Sequence, residues 1–122
     1  MRLLDDFFNI VAEENCDGVY RCKVRLNAQH GLYKVHFPGN PVTPGVCLVQ
    51  MATELLERQH QKKYLLSRAA NIKFRKTIGP DEEPTFVFTK VIREGDELKV
   101  TASIEDDETQ LVKMSLLFKT VS

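Results

Sequence analysis

The segment TPGVCLVQMATELLERQHQKK, which begins at Thr43, restricts the fold of this chain more than any other feature. Thr43 as N-cap and Pro44 at the first helical position predict the start of a long helix. Its apolar residues fall on nearly all sides of the first turns: Val46, Leu48, Val49, Met51, Ala52, Leu55 and Leu56. A helix that is apolar all round is buried, so other segments must enclose it, and its polar tail ERQHQKK must emerge into water.

Most of the remaining segments predict β-strands that supply this enclosure. The segment VYRCKVRLNA alternates apolar and basic residues from Tyr20 to Leu26, which predicts a half-buried strand with a basic outer face. Further strand candidates follow the helix and are separated by turns: RAANIKFRKTI, TFVFTKVIR, LKVTASIE and QLVKMSLLFKT.

The N-terminal segment LLDDFFNIVAEE has its apolar residues at near-helical spacing and predicts a short helix, followed by a turn at Asp17-Gly18. Residues 27–43 predict mostly loop. The order of helix, strand, buried helix and then strands predicts an α+β fold, with an antiparallel sheet of about five strands wrapped around one long central helix. The length of 122 residues predicts a single domain, residues 1–122.

Composition and charge argue against several classes of function. Lys+Arg and Asp+Glu are 17 each, so net charge gives no reason to expect nucleic acid or an anionic membrane as a partner. No apolar run approaches the roughly 20 residues that span a bilayer, and the N-terminus lacks the features of a signal peptide. The odd number of cysteines, 3, without metal-type pairing predicts free thiols in a reducing cytoplasm. His30 and His60 lack neighbouring ligands, so no metal site is expected.

The stretch HFPGNPVTPGV, residues 36–46, opens the central helix and resembles the active-site segment of bacterial 3-hydroxyacyl-[acyl-carrier-protein] dehydratases. The pattern of that family is His-Phe-Pro-Gly-His-Pro-x-x-Pro-Gly-Val, and eight of its nine specified positions match. The departure is Asn40, where the family usually has histidine. The later segment IKFRKTIGPDEEP also looks like the family's entry into its third strand. The resemblance implies a hotdog fold, in which the sheet wraps around the central helix.

The resemblance further implies that water is lost from a 3-hydroxyacyl thioester to give the trans-2-enoyl product, in fatty-acid or related lipid synthesis. In that reaction His36 would remove the proton from C2, and the backbone N–H of Gly45 would bind the thioester oxygen. Imidazole titrates near neutral pH, and a helix N-terminus supplies a free N–H, so both groups suit these roles. The neighbouring motif residues would face the substrate: Phe37, Pro38, Gly39, Pro44 and Val46.

In the family the acid that protonates the departing hydroxyl is contributed by the other subunit. It lies five residues after the second motif glycine, and here that position is Gln50. A neutral amide cannot give up a proton at pH 7, but it can hydrogen-bond a hydroxyl or hold a water. Glu54 lies one turn later on the same helix face, and helical side chains lean back toward the N-terminus. We therefore expect Glu54 to replace the acid, directly or through one water or Gln50. The alternatives are a polar interface contact for Gln50 and an ordinary salt-bridged role for Glu54.

The resemblance also implies a homodimer, or a higher homo-oligomer of dimers, with active sites at the subunit interface. The acyl group would arrive on an acyl carrier protein or on coenzyme A. Its phosphopantetheine arm would come with the substrate, so no resident cofactor is expected. A basic run offers a docking patch for an acidic carrier, although a solvated strand face is the simpler interpretation. This run comprises Lys73, Arg75 and Lys76, together with Lys62, Lys63 and Arg68.

Two other functions are open at the level of sequence. A hotdog protein without the acid would bind acyl thioesters and leave them unchanged. A hotdog thioesterase would use Cys47, in the first helical turn where the dipole lowers the pKa of a thiol, paired with His36. Apolar helices also often carry a buried cysteine as a small hydrophobic residue, which is the competing interpretation of Cys47.

Overall fold

The computed structural model describes residues 2–35 and 39–121. These residues form six strands and two helices. In chain order they are β1 (Phe8–Cys16), β2 (Val19–Leu26), α1 (Leu32–Val35), α2 (Gly45–His60), β3 (Lys63–Phe74), β4 (Thr85–Glu94), β5 (Glu97–Asp106) and β6 (Thr109–Val121). The strands form one sheet in the order β1-β2-β4-β5-β6-β3, and every neighbouring pair is antiparallel.

The helix α2 and one face of this sheet share a single hydrophobic core. Met51 and Leu55 on the helix are fully buried, as are the phenylalanines that face them from the strands: Phe86, Phe88 and Phe118. The prediction of a buried central helix enclosed by a sheet is confirmed, and the arrangement is that of a hotdog fold. Val46, in the first turn of α2, is the exception, because its side chain is 71% exposed.

The alternation predicted for β2 is confirmed residue by residue. Tyr20 and Leu26, with Cys22 and Val24 between them, point into the core, and the intervening basic residues are exposed. The polar tail of α2 also emerges as predicted. Gln61 ends the helix in the left-handed conformation and donates its backbone N–H to the Glu57 carbonyl. No helix in the described ranges 2–35 and 39–121 is long and apolar enough to cross a membrane.

The predicted N-terminal helix over LLDDFFNIVAEE is wrong, because residues from Phe8 onward form β1 and pair along the whole length of β2. The turn Asp17-Gly18 joins the two strands, with φ of 52° and 79° at its two residues. Positive φ at both central residues is what a tight hairpin turn requires, and Asp-Gly is the sequence that favours it. The sheet therefore has six strands, slightly more than the predicted number of about five. The hairpin signal outweighs the near-helical spacing of the apolar residues.

The start of α2 also differs from the prediction. The helix begins at Gly45 with Pro44 as its N-cap residue, and no side chain caps it. The hydroxyl of Thr43, predicted as the cap, instead forms a 2.8 Å hydrogen bond with the Tyr33 hydroxyl. Tyr33 belongs to α1, a short helix within the segment predicted as loop. This bond ties α1 to the loop that enters α2.

Replacement of Leu55 by alanine tests the dependence of the fold on the enclosed helix. Leu55 has no exposed surface, so Leu55→Ala should lower the free energy of unfolding by about 2–5 kcal/mol. Val46→Ala removes apolar atoms from the same helix at its exposed end, and it should change that free energy by less than about 0.5 kcal/mol. Urea denaturation followed by circular dichroism measures both values, and equal losses for the two variants would contradict the burial of α2.

Candidate active site

The first part of the predicted site has no described position. His36, Phe37 and Pro38 lie outside the described residues, so the predicted base and two predicted substrate-facing residues stay predictions. The structure describes the site from Gly39 onward. Gly39 has a φ of 89°, a left-handed conformation that glycine adopts without steric strain. The motif glycine therefore serves the turn that brings the chain to the N-terminus of α2.

The loop between that turn and α2 is held by contacts with the segment that follows β3. The backbone N–H of Thr43 donates to the Ile78 carbonyl at 2.8 Å. The carbonyl oxygen of Pro41 lies 3.7 Å from the place where a Cβ on Gly79 would be. These contacts, with the Tyr33–Thr43 bond, give Pro44 the extended conformation from which the helix starts (φ −62°, ψ 144°). The loop is thereby fixed on two sides.

Gly45 is the first residue of α2, and the ring of Phe74 lies directly against it. A Cβ built on Gly45 would stand 2.8 Å from the Phe74 Cζ atom, closer than real Cβ contacts occur. The N–H groups of Cys47 and Leu48 donate to the carbonyl of the N-cap residue Pro44 at 3.0 and 3.2 Å. Helix geometry gives the N–H groups of Gly45 and Val46 no acceptor within the helix, so these two are available to bind an anionic or carbonyl oxygen. Gly45 thus lies at a helix N-terminus, and any side chain at this position would collide with the Phe74 ring. Phe74, which is 55% exposed, forms one wall of this position.

Gln50 and Glu54 are in direct contact on the same face of α2. Gln50 Nε2 donates to Glu54 Oε2 at 2.8 Å. A carboxylate accepts hydrogen bonds and an amide NH₂ group donates them, so this contact fixes which end of the Gln50 amide faces Glu54. The two residues predicted to share the role of the acid therefore form one hydrogen-bonded pair. Gln50 is half-buried, whereas Glu54 is only 3% exposed.

The Glu54 carboxylate also holds the N-terminal segment of the chain. The backbone N–H of Leu3 lies 3.0 Å from Oε1 and 2.8 Å from Oε2, and that of Leu4 donates to Oε1 at 2.7 Å. Both oxygens therefore accept N–H donors, which compensates for the burial of this group in the core. To deliver a proton, the carboxyl must carry it on an oxygen that now accepts an N–H. Because Gln50 also donates to this carboxylate, the geometry favours a Glu54 that acts on a substrate through a water rather than by direct contact or through the amide.

Cys47 lies in the first turn of α2, as the sequence indicates, but its side chain is buried. Burial raises the pKa of the Cys47 thiol, which opposes the lowering expected from the helix dipole. Desolvation disfavours the thiolate, which is the form that attacks a thioester. The structure therefore favours the interpretation of Cys47 as a small hydrophobic core residue.

The basic run predicted for carrier docking begins beside the N-terminus of α2. Lys73 precedes Phe74, the residue whose ring contacts Gly45, and Arg75 and Lys76 follow it. All three basic side chains are exposed. The backbone N–H groups of Arg75 and Lys76 donate to the Leu111 carbonyl at 2.8 and 3.3 Å, which holds this segment against β6. The predicted patch and the predicted oxyanion donor are therefore neighbours.

Sequence reasoning missed three contributors to the site: Phe74 and the backbone N–H groups of Leu3 and Leu4. The exposed Phe74 stands in a strand pattern that gives no indication of the glycine it contacts. The Leu3 and Leu4 contacts link residues about fifty positions apart, and backbone donors leave no trace in a sequence. The described residues contain no group of three or more His, Cys, Asp or Glu that could hold a metal ion.

Comparison with known proteins identifies a family that matches this chain. The family model of the ApeI-like dehydratases, described as ApeI dehydratase, matches residues 12–119. A curated relative is the 3-hydroxyacyl-[acyl-carrier-protein] dehydratase FabZ of Lactobacillus helveticus (strain DPC 4571). It is 27% identical over 115 residues, which cover 88% of this chain and 68% of the relative.

Solved structures share the fold at low sequence identity. One is the dehydratase heterocomplex ApeI:P from Xenorhabdus doucetiae, with a TM-score of 0.69, 11% identity, and coverage of 93% of this chain and 82% of that chain. Another is a hypothetical thioesterase with coenzyme A from Streptococcus pneumoniae TIGR4, with a TM-score of 0.68, 14% identity, and coverage of 98% and 92%. At such identities the likeness shows the shared fold alone.

The substitution Glu54→Gln tests the link between Glu54 and the N-terminal segment. A carboxamide has one acceptor oxygen in place of two, so it cannot satisfy Leu3, Leu4 and Gln50 together. An unsatisfied buried donor costs about 1–3 kcal/mol, and amide exchange at Leu3 and Leu4, measured by NMR, should accelerate roughly 10- to 100-fold. Glu57→Gln is the matched control, because Glu57 accepts from the Tyr64 N–H instead. Unchanged exchange at Leu3 and Leu4 in the Glu54 variant would show that the carboxylate does not hold the segment.

Proposed function

Because the chain belongs to the family of ApeI-like dehydratases, we propose that it removes water from a 3-hydroxyacyl thioester to give the trans-2-enoyl thioester. The family match over residues 12–119 is the observation that carries this proposal. The acyl group arrives on an acyl carrier protein or coenzyme A, and the named activity of the Lactobacillus helveticus relative supports the carrier. The phosphopantetheine arm comes with the substrate, and the proposed reaction uses no resident cofactor. The pathway is fatty-acid synthesis or a related bacterial lipid pathway.

In the proposed mechanism His36 takes the proton from C2, and the Gly45 backbone N–H binds the thioester oxygen as negative charge develops on it. The helix N-terminus supports this donor role, because its N–H groups and the positive end of the helix dipole both favour an anion. The Phe74 ring occupies the space where a side chain on Gly45 would stand, so it forms one wall of the position in which the thioester oxygen meets this N–H. The rest of the motif, Phe37, Pro38, Gly39 and Pro44, shapes the approach, and the exposed Val46 contacts the acyl group.

The electrons of the C2–H bond form the C2–C3 double bond, the C3–O bond breaks, and the hydroxyl leaves as water after it gains one proton. Glu54 supplies this proton through one water. The Gln50 amide donates to Glu54 at 2.8 Å and is half-buried, which supports a role for Gln50 in holding that water between the buried carboxyl and the substrate. Glu54 thus has two roles, as proton source and as anchor of the N-terminal segment.

The active unit in this proposal is a homodimer, or a homo-oligomer of dimers, that pairs the exposed edge of β3 from two copies. An edge strand presents unpaired backbone N–H and C=O groups, and β3 combines that edge with exposed apolar side chains at Leu65 and Leu66. β1, the other edge, presents charged residues such as Glu14 instead. The three unpaired cysteine thiols support a reducing, cytoplasmic location for the reaction.

Mass spectrometry of a 3-hydroxyacyl carrier after incubation with the purified protein tests the dehydratase proposal. The expected result is loss of one water, at a rate that His36→Ala lowers by about 10²- to 10⁴-fold because the base is gone. His60→Ala, at the opposite end of α2, is the matched control and should retain the activity. Release of free thiol would instead indicate a thioesterase, and binding of the acyl carrier with no product would indicate a binding protein. Either of these results would overturn the proposal.

A solvent deuterium isotope effect on kcat separates the two roles of Glu54. Proton donation by an acid catalyst is slower in D₂O, so the unsubstituted protein should show this effect. Glu54→Gln should lower kcat and also reduce the isotope effect, which a merely structural loss would leave in place. Unchanged turnover in the variant would remove Glu54 from the mechanism.

Charge reversal of the basic run tests carrier docking. Lys73→Glu/Arg75→Glu/Lys76→Glu should raise KM for a carrier-bound substrate about tenfold or more at low salt, because the carrier is acidic. The same acyl group on free pantetheine is the control, and its KM should not change. A carrier KM that neither the variant nor added salt alters would contradict docking at this patch.

A further inference from the structure

A groove crosses the face of the sheet that points away from α2, and we call it the outer groove. It has a volume of about 460 Å³, which lies in the range of small-ligand sites. Two rows of residues in register across β4, β5, β6 and β3 form it. The first row is Lys90, Thr101, Ser115 and Ala70, and the second is Ile92, Lys99, Leu117 and Arg68.

Strand alternation places both rows on the outer face. Val100 and Leu116 alternate with the groove residues and point into the core, where each is 3% exposed. Lys99, Thr101, Ser115 and Leu117 must therefore face the opposite side of the sheet. The middle of the first row consists of small side chains, which leave a depression in the surface. The longer side chains around this depression form its walls.

The lining of the outer groove contains hydrogen-bond donors and no carboxylate. Three cationic side chains, Arg68, Lys90 and Lys99, stand around the hydroxyl groups of Thr101 and Ser115. The apolar part of the lining comes from Ile92 and Leu117 on the second row. A cationic rim, hydroxyl groups in the floor and an apolar wall together suit a ligand that has an anionic group and an apolar arm.

The positive charge of the groove is poorly compensated within the described part of the chain. On β2, by contrast, Arg21 pairs with Glu105, and both Lys23 and Arg25 pair with Glu83. Among the residues described, Arg68 and Lys90 form no ion pair, and Lys99 forms a single pair with the exposed Glu94 at 3.5 Å. The same sheet thus neutralises its cations on β2, whereas at the groove Arg68 and Lys90 have no ion pair among the described residues.

A pair of lysines with like charge lies next to the first row. Lys73 on β3 and Lys113 on β6 are directly opposite each other in the register. Like charges at directly opposed positions destabilise a sheet. No carboxylate compensates these two lysines among the described ion pairs, so the positive charge extends along β3 and β6 beyond the lining of the outer groove.

Bulges in the flanking strands shape the groove. β3 shifts register between Leu66 and Arg68 and again between Ala70 and Lys73, and β4 shifts between Phe88 and Lys90. Asn71, at the second bulge of β3, has a φ of 52° and lines the groove. Bulges bend a strand and redirect its side chains, and they are frequent beside functional sites. Here they bring Arg68 and Lys90 toward the same depression from opposite sides.

We propose that the outer groove binds a phosphate monoester that carries an apolar substituent. A phosphate is favoured over a carboxylate because its greater charge matches the cationic rim, and its oxygens accept from Arg68, Lys90 and Lys99 as well as from the two hydroxyls. The apolar substituent lies on Ile92 and Leu117. A second copy of this chain is a poor occupant, because back-to-back packing would oppose two cationic rims.

This site is separate from the proposed active site. The active-site residues lie on α2 and its entry loop, on the other face of the sheet, so the groove proposal does not depend on the dehydratase activity. Arg68 and Ala70 do lie on β3, the edge strand that the proposed dimer pairs. Exposed ion pairs are individually weak and are screened by salt. Binding should therefore depend on several cations together and weaken as salt is added.

NMR titration of the full-length, isotope-labelled protein with phenyl phosphate tests the proposal. The backbone amides of Thr101 and Ser115 should shift and saturate, and Arg68→Ala/Lys90→Ala should raise Kd about tenfold. Inorganic phosphate should bind several-fold more weakly because it has no apolar arm, and benzoate should bind more weakly because it has less charge. Arg21→Ala/Lys23→Ala removes the same charge from β2 and should leave Kd unchanged.

Cosedimentation with vesicles that contain phosphatidic acid distinguishes the source of the phosphate. Cosedimentation that the Arg68/Lys90 variant abolishes assigns the phosphate to a lipid headgroup. Phenyl phosphate binding without cosedimentation assigns it to a soluble ester, and both results support the groove. The proposal is overturned if phenyl phosphate causes no saturable shift at Thr101 and Ser115, or if the β2 variant weakens binding as much as the groove variant does.

Discussion

The rest of the structure depends on the enclosure of α2. Nearly all sides of this helix are apolar, so one covering layer is insufficient, and the chain supplies two. The sheet covers one side, and the N-terminal segment with Leu3 and Phe7 adds to the core from another. The first turn of the helix stays accessible, as the exposure of Val46 shows. A buried scaffold with one open end is suitable for a site that needs a rigid helix N-terminus.

One polar interaction connects this enclosure with the candidate chemistry. Glu54 is a carboxylate on an otherwise apolar helix, and its burial is tolerated because the Leu3 and Leu4 backbone N–H groups and the Gln50 amide donate to it. The same group that holds the N-terminal segment therefore also contacts Gln50, the residue at the position that the sequence resemblance assigns to the acid. Glu54 therefore has one structural role and one proposed catalytic role. Only measurements that respond to proton transfer separate these two roles.

The two faces of the sheet have different physical characters. The inner face is apolar and is covered by α2, whereas the outer face carries basic residues on β2 and around the outer groove. On β2 these charges are paired with Glu83 and Glu105, while Arg68 and Lys90 lack such pairs within the described part of the chain. Within the described residues, the two parts of the outer face therefore differ in how their positive charge is compensated: by ion pairs on β2, and by none at Arg68 and Lys90.

Much of the fold could be predicted from local patterns. The enclosed helix, the alternating β2 and the later strands follow from periodicity, which depends on neighbouring residues alone. The error at the N-terminus has a physical cause. A short apolar run such as FFNIV fits either period, and its pairing with β2 through the Asp17-Gly18 hairpin selects the strand. The predicted cap at Thr43 fails because Tyr33 binds the hydroxyl that would have capped the helix.

The sequence by itself determined that one apolar helix must be enclosed by a sheet and that a glycine stands at the helix entry. It also indicated Gln50 and Glu54 as neighbours, because residues four apart share a helix face. Only the tertiary structure decided what those residues contact: the Phe74 ring against Gly45, and the distant Leu3 and Leu4 N–H groups on Glu54. Periodicity records which face a residue occupies, whereas contacts between distant segments depend on how the whole chain closes around its core.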